Sequence, residues 1–405
     1  MNDLRRKLSY YKAKLLYTPY VLLFYIFRTL PLQNKIVGTT MRGRKYGDNP
    51  QFIFEELKTL DSNIDFVWLK ANGYEYNLPA WIRSVPYKLT IKTIYELATA
   101  RIWIDTHRLR ASIRKRKSQV FIETWHGGLG IKKIEGDLPK VLTNPWDMAD
   151  IKNTAKLANV FISNSNHLSD IYRRAFFYKG IIYKSGYPKN DVIVNPTHDI
   201  ASRVKKELGI SQEKKIILYA PTFRPEFCYC IERDFSVYDI NYQKVKESVI
   251  QKWGGEWEFL VKWHPTMIPY VKRFVHLNPD VRDVTTYNDM QALICSTDVI
   301  ISDYSSCIFD AALREIPCFT FATDFEEYKG TQGTYFEMEE LPFPYAKNNE
   351  ELVSNIQKFN HFNYLKQWND FKIKTGLIET GHAGKDIAQK IYCYLKGEKV
   401  EWGQI

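Results

Sequence analysis

The chain has 405 residues, 45% hydrophobic and 25% charged, which excludes a mostly disordered, collagen-like or coiled-coil protein and leaves room for two or three domains. Six cysteines without a CxxC pair exclude a disulfide scaffold and a zinc knuckle, and Cys228 and Cys230 have a spacing that fits neither. Lys and Arg outnumber Asp and Glu by 57 to 46, and the excess sits in residues 1–50 and 101–118, so an anionic surface or substrate is expected at that end.

The first predicted element is a helix over residues 18–31. Thr18 suits its cap, Pro19 its first position, and Pro31 its stop. The uncharged run over 15–27 is shorter than the ~20 apolar residues that a bilayer span needs. No small-residue cleavage site follows it. A short aromatic-aliphatic helix behind the basic run 5–14 predicts interfacial anchoring on anionic lipid; the alternative is a helix packed on the protein's own core.

Downstream, short apolar runs alternate with amphipathic stretches, which predicts parallel sheets covered by helices. Strands are expected at 35–38, 65–69, 101–105, 120–124, 160–163 and 181–184, with helices at 52–60, 90–99 and 168–177. A second series places strands at 215–219, 257–262, 281–284, 299–302 and 318–321. Its helices are expected at 242–253, 289–295, 305–313 and 350–359. The polar segment 195–199 separates the two series. The expected organisation is a basic leader over 1–33, open α/β domains over 34–195 and 196–380 facing a cleft, and a last helix over 381–405 near their junction.

Ligands bind at the carboxyl ends of strands in such sheets, and four strand ends carry candidate chemistry. After 120–124 come Trp125, His126, Gly127, Gly128, Leu129 and Gly130, then Lys132 and Lys133. The imidazole of His126 suits acceptance of a hydroxyl proton near pH 7, and the glycines permit close approach of a ligand. After 215–219, Thr222 and Arg224 suit a diphosphate clamp. After 257–262 stand Lys262 and His264, with Pro265 fixing the turn. After 299–302, Asp303, Tyr304, Ser305 and Ser306 lead into a helix whose start favours phosphate. No GxGxxG, GxxxxGK[ST] or HExxH pattern occurs, so dinucleotide, P-loop and zincin chemistries lose their main support, and metal-independent chemistry is expected.

In order along the chain stand Trp125-His126-Gly127, Gly186-Tyr187-Pro188-Lys189-Asn190-Asp191, Tyr219-Ala220-Pro221-Thr222-Phe223-Arg224, Lys262-Trp263-His264-Pro265 and Ser302-Asp303-Tyr304-Ser305-Ser306. Together these motifs resemble the CDP-glycerol glycerophosphotransferase family of teichoic-acid primases and polymerases, with relatives in capsule synthesis. The resemblance implies a GT-B-like pair of Rossmann-like parallel-sheet domains, acceptor-side first and donor-binding second. It implies transfer of an alditol phosphate, glycerol phosphate first, from a CDP-alditol to a lipid-linked saccharide or growing polymer, with release of CMP. His126 would be the base. Gly127, Asn190, Thr222, Arg224, Lys262, His264, Ser305 and Ser306 would fall at donor positions. No metal, other cofactor or nucleic acid is expected, and the protein would sit peripherally on the cytoplasmic face of the membrane. The competing readings are a nucleotide-sugar glycosyltransferase of the same fold and a non-enzymatic polyanion- or membrane-binding protein. The sequence departs from the family pattern at Gly128-Leu129-Gly130, where Thr or Ser and Pro usually follow, and at Gln332-Gly333, where Arg-Gly is usual.

Overall fold

The computed structural model of the chain describes residues 2–224, 236–264, 267 and 280–402; Cys228, Cys230 and Pro265 lie outside them. The chain forms two compact units. The first comprises Met1–Gly128, Ile134–Asp191 and Leu377–Ile405, and the second Leu129–Lys133 and Val192–Gly376.

Unit 1 is built on β1 (Gln33–Gly38), β2 (Asp65–Lys70), β3 (Ile82–Pro86), β4 (Ala100–Asp105), β5 (Val120–Glu123), β6 (Val160–Ser163) and β7 (Ile181–Lys184). All pairings are parallel, in the order β3-β2-β1-β4-β5-β6-β7. Strands such as β6 (VFIS) are buried along their whole length, as a sheet covered by helices on both faces requires. The order reverses between β1 and β4, which opens a crevice at the carboxyl ends of those strands. Sequence reasoning missed β3 because only two of its five residues are fully buried and it ends in Pro86, the marks of an edge strand.

The N-terminal helix, α1 (Asn2–Phe27), begins well before the expected Thr18 cap and carries Pro19 inside it. Both Leu15 and Pro19 are exposed, so the carbonyl that loses its helical partner at Pro19 lies on the water side. The leader is also not separate from the first domain. Phe24 is fully buried in one cluster with Val37, Val67, Trp103 and Phe121, and Tyr17, Tyr20, Leu23 and Phe27 pack against it. The opposite face remains apolar and open, with Tyr11 61%, Leu15 74%, Leu22 56% and Ile26 58% exposed. Arg116 closes the helix C-terminus, donating to the carbonyls of Phe27 (3.0 Å) and Leu30 (2.8 Å).

Unit 2 repeats the architecture with β8 (Lys215–Ala220), β9 (Trp257–Val261), β10 (Val281–Asp283), β11 (Val299–Ser302), β12 (Cys318–Phe321) and β13 (Tyr345–Ala346). The sheet is parallel, in the order β10-β9-β8-β11-β12-β13, and its reversal lies between β8 and β11. The two-residue β13 carries no periodicity, so the sequence did not announce it. Residues 129–133 join this unit. Lys132 bridges Thr334 in antiparallel fashion, Lys133 N–H donates to Gly333 O at 3.0 Å, and Tyr335 N–H to Ile131 O at 2.7 Å. Gly333 has φ +74°, and a Cβ there would lie 2.9 Å from the Lys133 side chain, so glycine is required for this approach.

The first long segment ends at Asp191, just before the polar stretch expected as a linker, and the chain re-enters unit 1 at Leu377. The last helix, Ala383–Leu395, packs on the helix Asp48–Leu60. Arg101 donates to the Leu395 carbonyl at 2.7 Å and fixes that return.

Candidate active site

In unit 1, Thr39 and Thr40 follow β1, and Thr106 and His107 follow β4, at the reversal of strand order. His126 follows β5, two residues after Thr124, and leans toward this point. Its Nδ1 lies 2.8 Å from the Thr106 carbonyl oxygen. A carbonyl only accepts, so Nδ1 carries the proton and Nε2 the lone pair. His107, which no motif signalled, stacks on His126 with ring centroids 4.3 Å apart and planes 11° from parallel. Burial, then the neighbouring His126 and Arg42, hold the His107 pKa well below the ordinary imidazole value, so this ring is neutral at pH 7.

The backbone of the His126 loop is held carbonyl by carbonyl. Asn49 Nδ2 donates to Trp125 O at 3.2 Å, Lys189 Nζ to His126 O at 3.2 Å, and the Tyr187 hydroxyl to Gly127 O at 3.0 Å. Trp125 takes a positive φ of 53° and is itself buried against Phe176, with centroids 4.9 Å apart. Gly128 lies against Asn164, where a Cβ would meet Nδ2 at 2.6 Å and push it from its bond to Glu379.

The Gly186–Asp191 motif supports this loop from below. Asn190 is fully buried, and its Nδ2 donates to Glu379 Oε1 at 2.9 Å. Glu379 also accepts from Asn164 Nδ2 (2.8 Å) and from the Tyr187 N–H (2.8 Å). Gly186 has φ +82° and a Cβ there would sit 2.7 Å from Glu379 Oε2, so only glycine lets the carboxylate in. Asn190 thus braces this scaffold through its Nδ2.

Beneath the loop, Asp105 and Glu123 end adjacent strands in direct register and are both buried. Asp105 Oδ1 accepts from the N–H groups of Thr106 (2.7 Å) and His107 (3.0 Å), and Glu123 Oε1 from Trp125 N–H (2.9 Å). Burial raises the pKa of both carboxyls, and the Asp105 charge raises that of Glu123 further.

In unit 2, the loops after β8 and β11 meet at the second reversal. Arg224 is 4% exposed. Its Nε and Nη2 donate to Asp324 at 2.7 and 2.9 Å, and Nη1 to Asp303 Oδ2 at 2.8 Å and to Thr222 O at 2.6 Å. The guanidinium also lies over the rings of Tyr304 (4.6 Å) and Tyr328 (5.0 Å). Burial opposes its charge, and Asp303 and Asp324 more than restore it, so its pKa stands above the ordinary value. Arg224 thus ties two loops together, with four of its N–H groups taken by Asp324, Asp303 and the Thr222 carbonyl among the described residues. Lys262 is likewise drawn inward, with Nζ 2.5 Å from the Tyr287 carbonyl and 3.3 Å from that of Thr285.

Other expected residues do gather here. His264 stacks on Phe223, with centroids 5.6 Å apart. Ser305 and Ser306 are half-buried ahead of the helix Cys307–Ala312, and the Ser306 side chain makes no capping bond. Thr222 N–H donates to Asp303 Oδ1 at 2.8 Å, whereas its buried Oγ1 has no hydrogen-bond partner among the described residues. Lys132, brought in by the 129–133 segment, lies within electrostatic reach of Asp303 and Arg224. Burial lowers its pKa, against the attraction of Asp303. Asp303 and Arg224 lie 171 and 92 residues further along the chain, so sequence reasoning assigned Lys132 no partner although it stood in the loop after 120–124.

The family model for CDP-glycerol:poly(glycerophosphate) glycerophosphotransferase matches residues 22–392. The chain belongs to this family. The motif-based reading of the sequence therefore stands, and the family match spans both units. The chain is 27% identical over 402 residues to the teichoic acid poly(glycerol phosphate) polymerase of Bacillus subtilis (strain 168), covering 96% of this chain and 52% of that one. It thus spans about half the length of that relative. To the teichoic acid glycerol-phosphate transferase of Staphylococcus aureus (strain NCTC 8325 / PS 47) it is 27% identical over 382 residues, with 91% and 95% coverage. A structure of the wall teichoic acid polymerase TagF superposes with a TM-score of 0.80 at 23% identity and covers 98% of each chain, which shows the same GT-B-like fold. A second TagF structure, soaked with CDPG, gives the same score at 24% identity.

Proposed function

We propose that the chain transfers glycerol phosphate from CDP-glycerol to a hydroxyl of an anionic, lipid-linked polymer or saccharide, with release of CMP. The observation that carries this reading is the His126 imidazole, whose Nδ1–H bond to Thr106 O leaves the lone pair on Nε2 at a strand end. The family description names CDP-glycerol, which supports glycerol over ribitol.

Nε2 of His126 takes the proton of the acceptor hydroxyl. The oxygen attacks the glycerol-bearing phosphorus, the bond to the cytidylate oxygen breaks, and CMP leaves with that electron pair. General-base help of this kind is worth ~10²–10⁴-fold. Positioning and charge stabilisation supply the rest. In unit 2, the hydroxyls of Thr222, Ser305 and Ser306 and the side chains of His264 and Lys132 bind the donor phosphates and offset the charge that develops on CMP. Arg224 and Lys262 hold the loops that carry them. The chemistry is metal-independent, so EDTA leaves turnover intact.

The open face of α1, with Leu15, Leu22 and Ile26 exposed behind a basic run, rests in the headgroup region of the cytoplasmic leaflet. No helix among the described residues is long and apolar enough to cross a membrane. The test is incubation with CDP-glycerol and CDP-ribitol separately, following CMP release with and without a lipid-linked acceptor. CMP release that depends on CDP-glycerol and acceptor is expected; release from neither donor contradicts the reading.

A further inference from the structure

Unit 1 holds a polar cavity of about 660 Å³. Its wall carries five cations, Arg42, Arg110, Arg114, Lys152 and Lys156, against the single carboxylate of Asp150. None of the five lies within ion-pair distance of a carboxylate among the described residues, although other members of the same basic stretch are neutralised. Arg108, for instance, pairs with Glu135 and Asp147. Asp150 is already engaged, accepting from Ala111 N–H at 2.7 Å, which fixes the 110–114 loop. Arg114 is pre-set on that loop, its Nη1 donating to the carbonyls of Ala111 (2.6 Å) and Ile113 (2.9 Å). Asn153 Nδ2 braces the same loop through the Arg110 carbonyl at 2.8 Å.

Clustering like charges in a recess is unfavourable unless an anion occupies it, and a recess of one sign focuses potential on such a ligand. Three guanidiniums favour phosphate oxygens in particular. The remaining lining supplies the class of molecule that carries the phosphate. Tyr17 and Val21 of α1 and Trp146 form an amphiphilic border, and α1 packs on the helix Pro145–Leu157 that carries Trp146, Lys152 and Lys156. The recess therefore opens beside the helix whose outer face is apolar.

We propose that this recess binds the phosphate groups of the lipid-linked acceptor, with its lipid running along α1. The proposal rests on the reading above that the acceptor is an anionic amphiphile. Phosphate is common to three sources, namely the acceptor, the headgroups of anionic lipid, and free phosphate; the amphiphilic border disfavours free phosphate, and the vesicle arm of the test separates the other two.

The test uses the full chain and the charge-reversed variant R110E/R114E, with K152E on the other wall as an independent second variant. The probes are farnesyl diphosphate, inorganic pyrophosphate and phosphatidylglycerol vesicles, with binding read by calorimetry and tryptophan fluorescence. The expected result is that farnesyl diphosphate binds at least tenfold tighter than pyrophosphate. R110E/R114E should weaken it at least tenfold and K152E at least threefold, with CDP-glycerol affinity unchanged in both. In the transfer assay the acceptor KM should rise by a similar factor. Unchanged farnesyl diphosphate affinity in both variants overturns the proposal. So does a loss confined to phosphatidylglycerol vesicles, which assigns the recess to headgroups, or equal binding of pyrophosphate, which assigns it to free phosphate. The binding readout needs no turnover, so a failure of the transfer reading itself shows separately, as CDP-glycerol that yields no CMP.

Discussion

The Nδ1 atom of His126 and the carbonyl oxygen of Thr106 stand 2.8 Å apart, across the carboxyl ends of neighbouring strands. That bond settles which ring nitrogen can accept a proton, and the stacked neutral His107 behind it keeps the ring in place. His126→Ala should therefore lose ~10²-fold or more in turnover. Its CDP-glycerol affinity should stay within twofold by calorimetry. Near-wild-type turnover would remove His126 from the reaction.

Arg224 separates a structural from a binding role. Removing one partner of a buried, hydrogen-bonded ion pair costs about 3–5 kcal/mol because the other charge is left uncompensated. Arg224→Ala leaves both Asp303 and Asp324 in that state. Urea unfolding should show a loss on that order. A variant of full stability whose only defect is donor affinity would restore the clamp role.

Lys132 should behave in the opposite way. It is half-buried, bridges through backbone rather than side chain, and has a lowered pKa from burial. Lys132→Ala is expected to weaken CDP-glycerol binding about tenfold, the effect of losing one charge-assisted phosphate contact of ~1.4 kcal/mol. The melting temperature should move little. Calorimetry and a thermal melt on one sample decide between loss of donor affinity and loss of fold.

The Asp105–Glu123 pair predicts a pH dependence of stability. Both carboxyls have folded pKa values above their unfolded values, so the folded state holds more protons than the unfolded chain. Stability from this pair is present below pH ~4 and falls as pH rises through the folded values. Asp105 is raised to about 8, so the decline should extend from pH ~4 to about 8. Glu123→Gln should flatten it by about 1 kcal/mol between pH 5 and 8, as read by chemical denaturation at each pH. An unchanged slope in this variant would show that the pair is not the source.

The outer face of α1 gives the membrane prediction. Leu15→Asp with Leu22→Asp replaces two exposed leucines and leaves Phe24 in the core. Sedimentation with phosphatidylglycerol vesicles should fall at least fivefold, because each leucine withdrawn from the interface forfeits roughly 1 kcal/mol or more. Undiminished binding would place the membrane contact elsewhere.

Much of the scaffold was readable because buried parallel strands are short apolar runs, and those of β4, β6, β8 and β11 stand out from their flanks. The edge strand β3 and the two-residue β13 lack that contrast. At the candidate site, residue types singled out His126, His264 and the serines because each stands three or four residues past a strand end. Spacing could not reveal that Arg224 would find two carboxylates 79 and 100 residues on, or that Lys262 would turn to carbonyls. The same limit left Lys132 without an assigned partner, and no motif marked His107, which stacks on His126 from the neighbouring strand end. Pro19 misled for a different reason: it suits the first turn of a helix, yet here it sits on the exposed side of a longer one.

The most direct test is mass analysis of a lipid-linked acceptor after incubation of the full chain with CDP-glycerol. The account predicts that the acceptor gains glycerol phosphate units through new phosphodiester bonds, one CMP appears per unit added, and His126→Ala slows both by ~10²-fold or more. Acceptor that gains a sugar from a nucleotide sugar instead, or that gains nothing while CDP-glycerol stays intact, would contradict it.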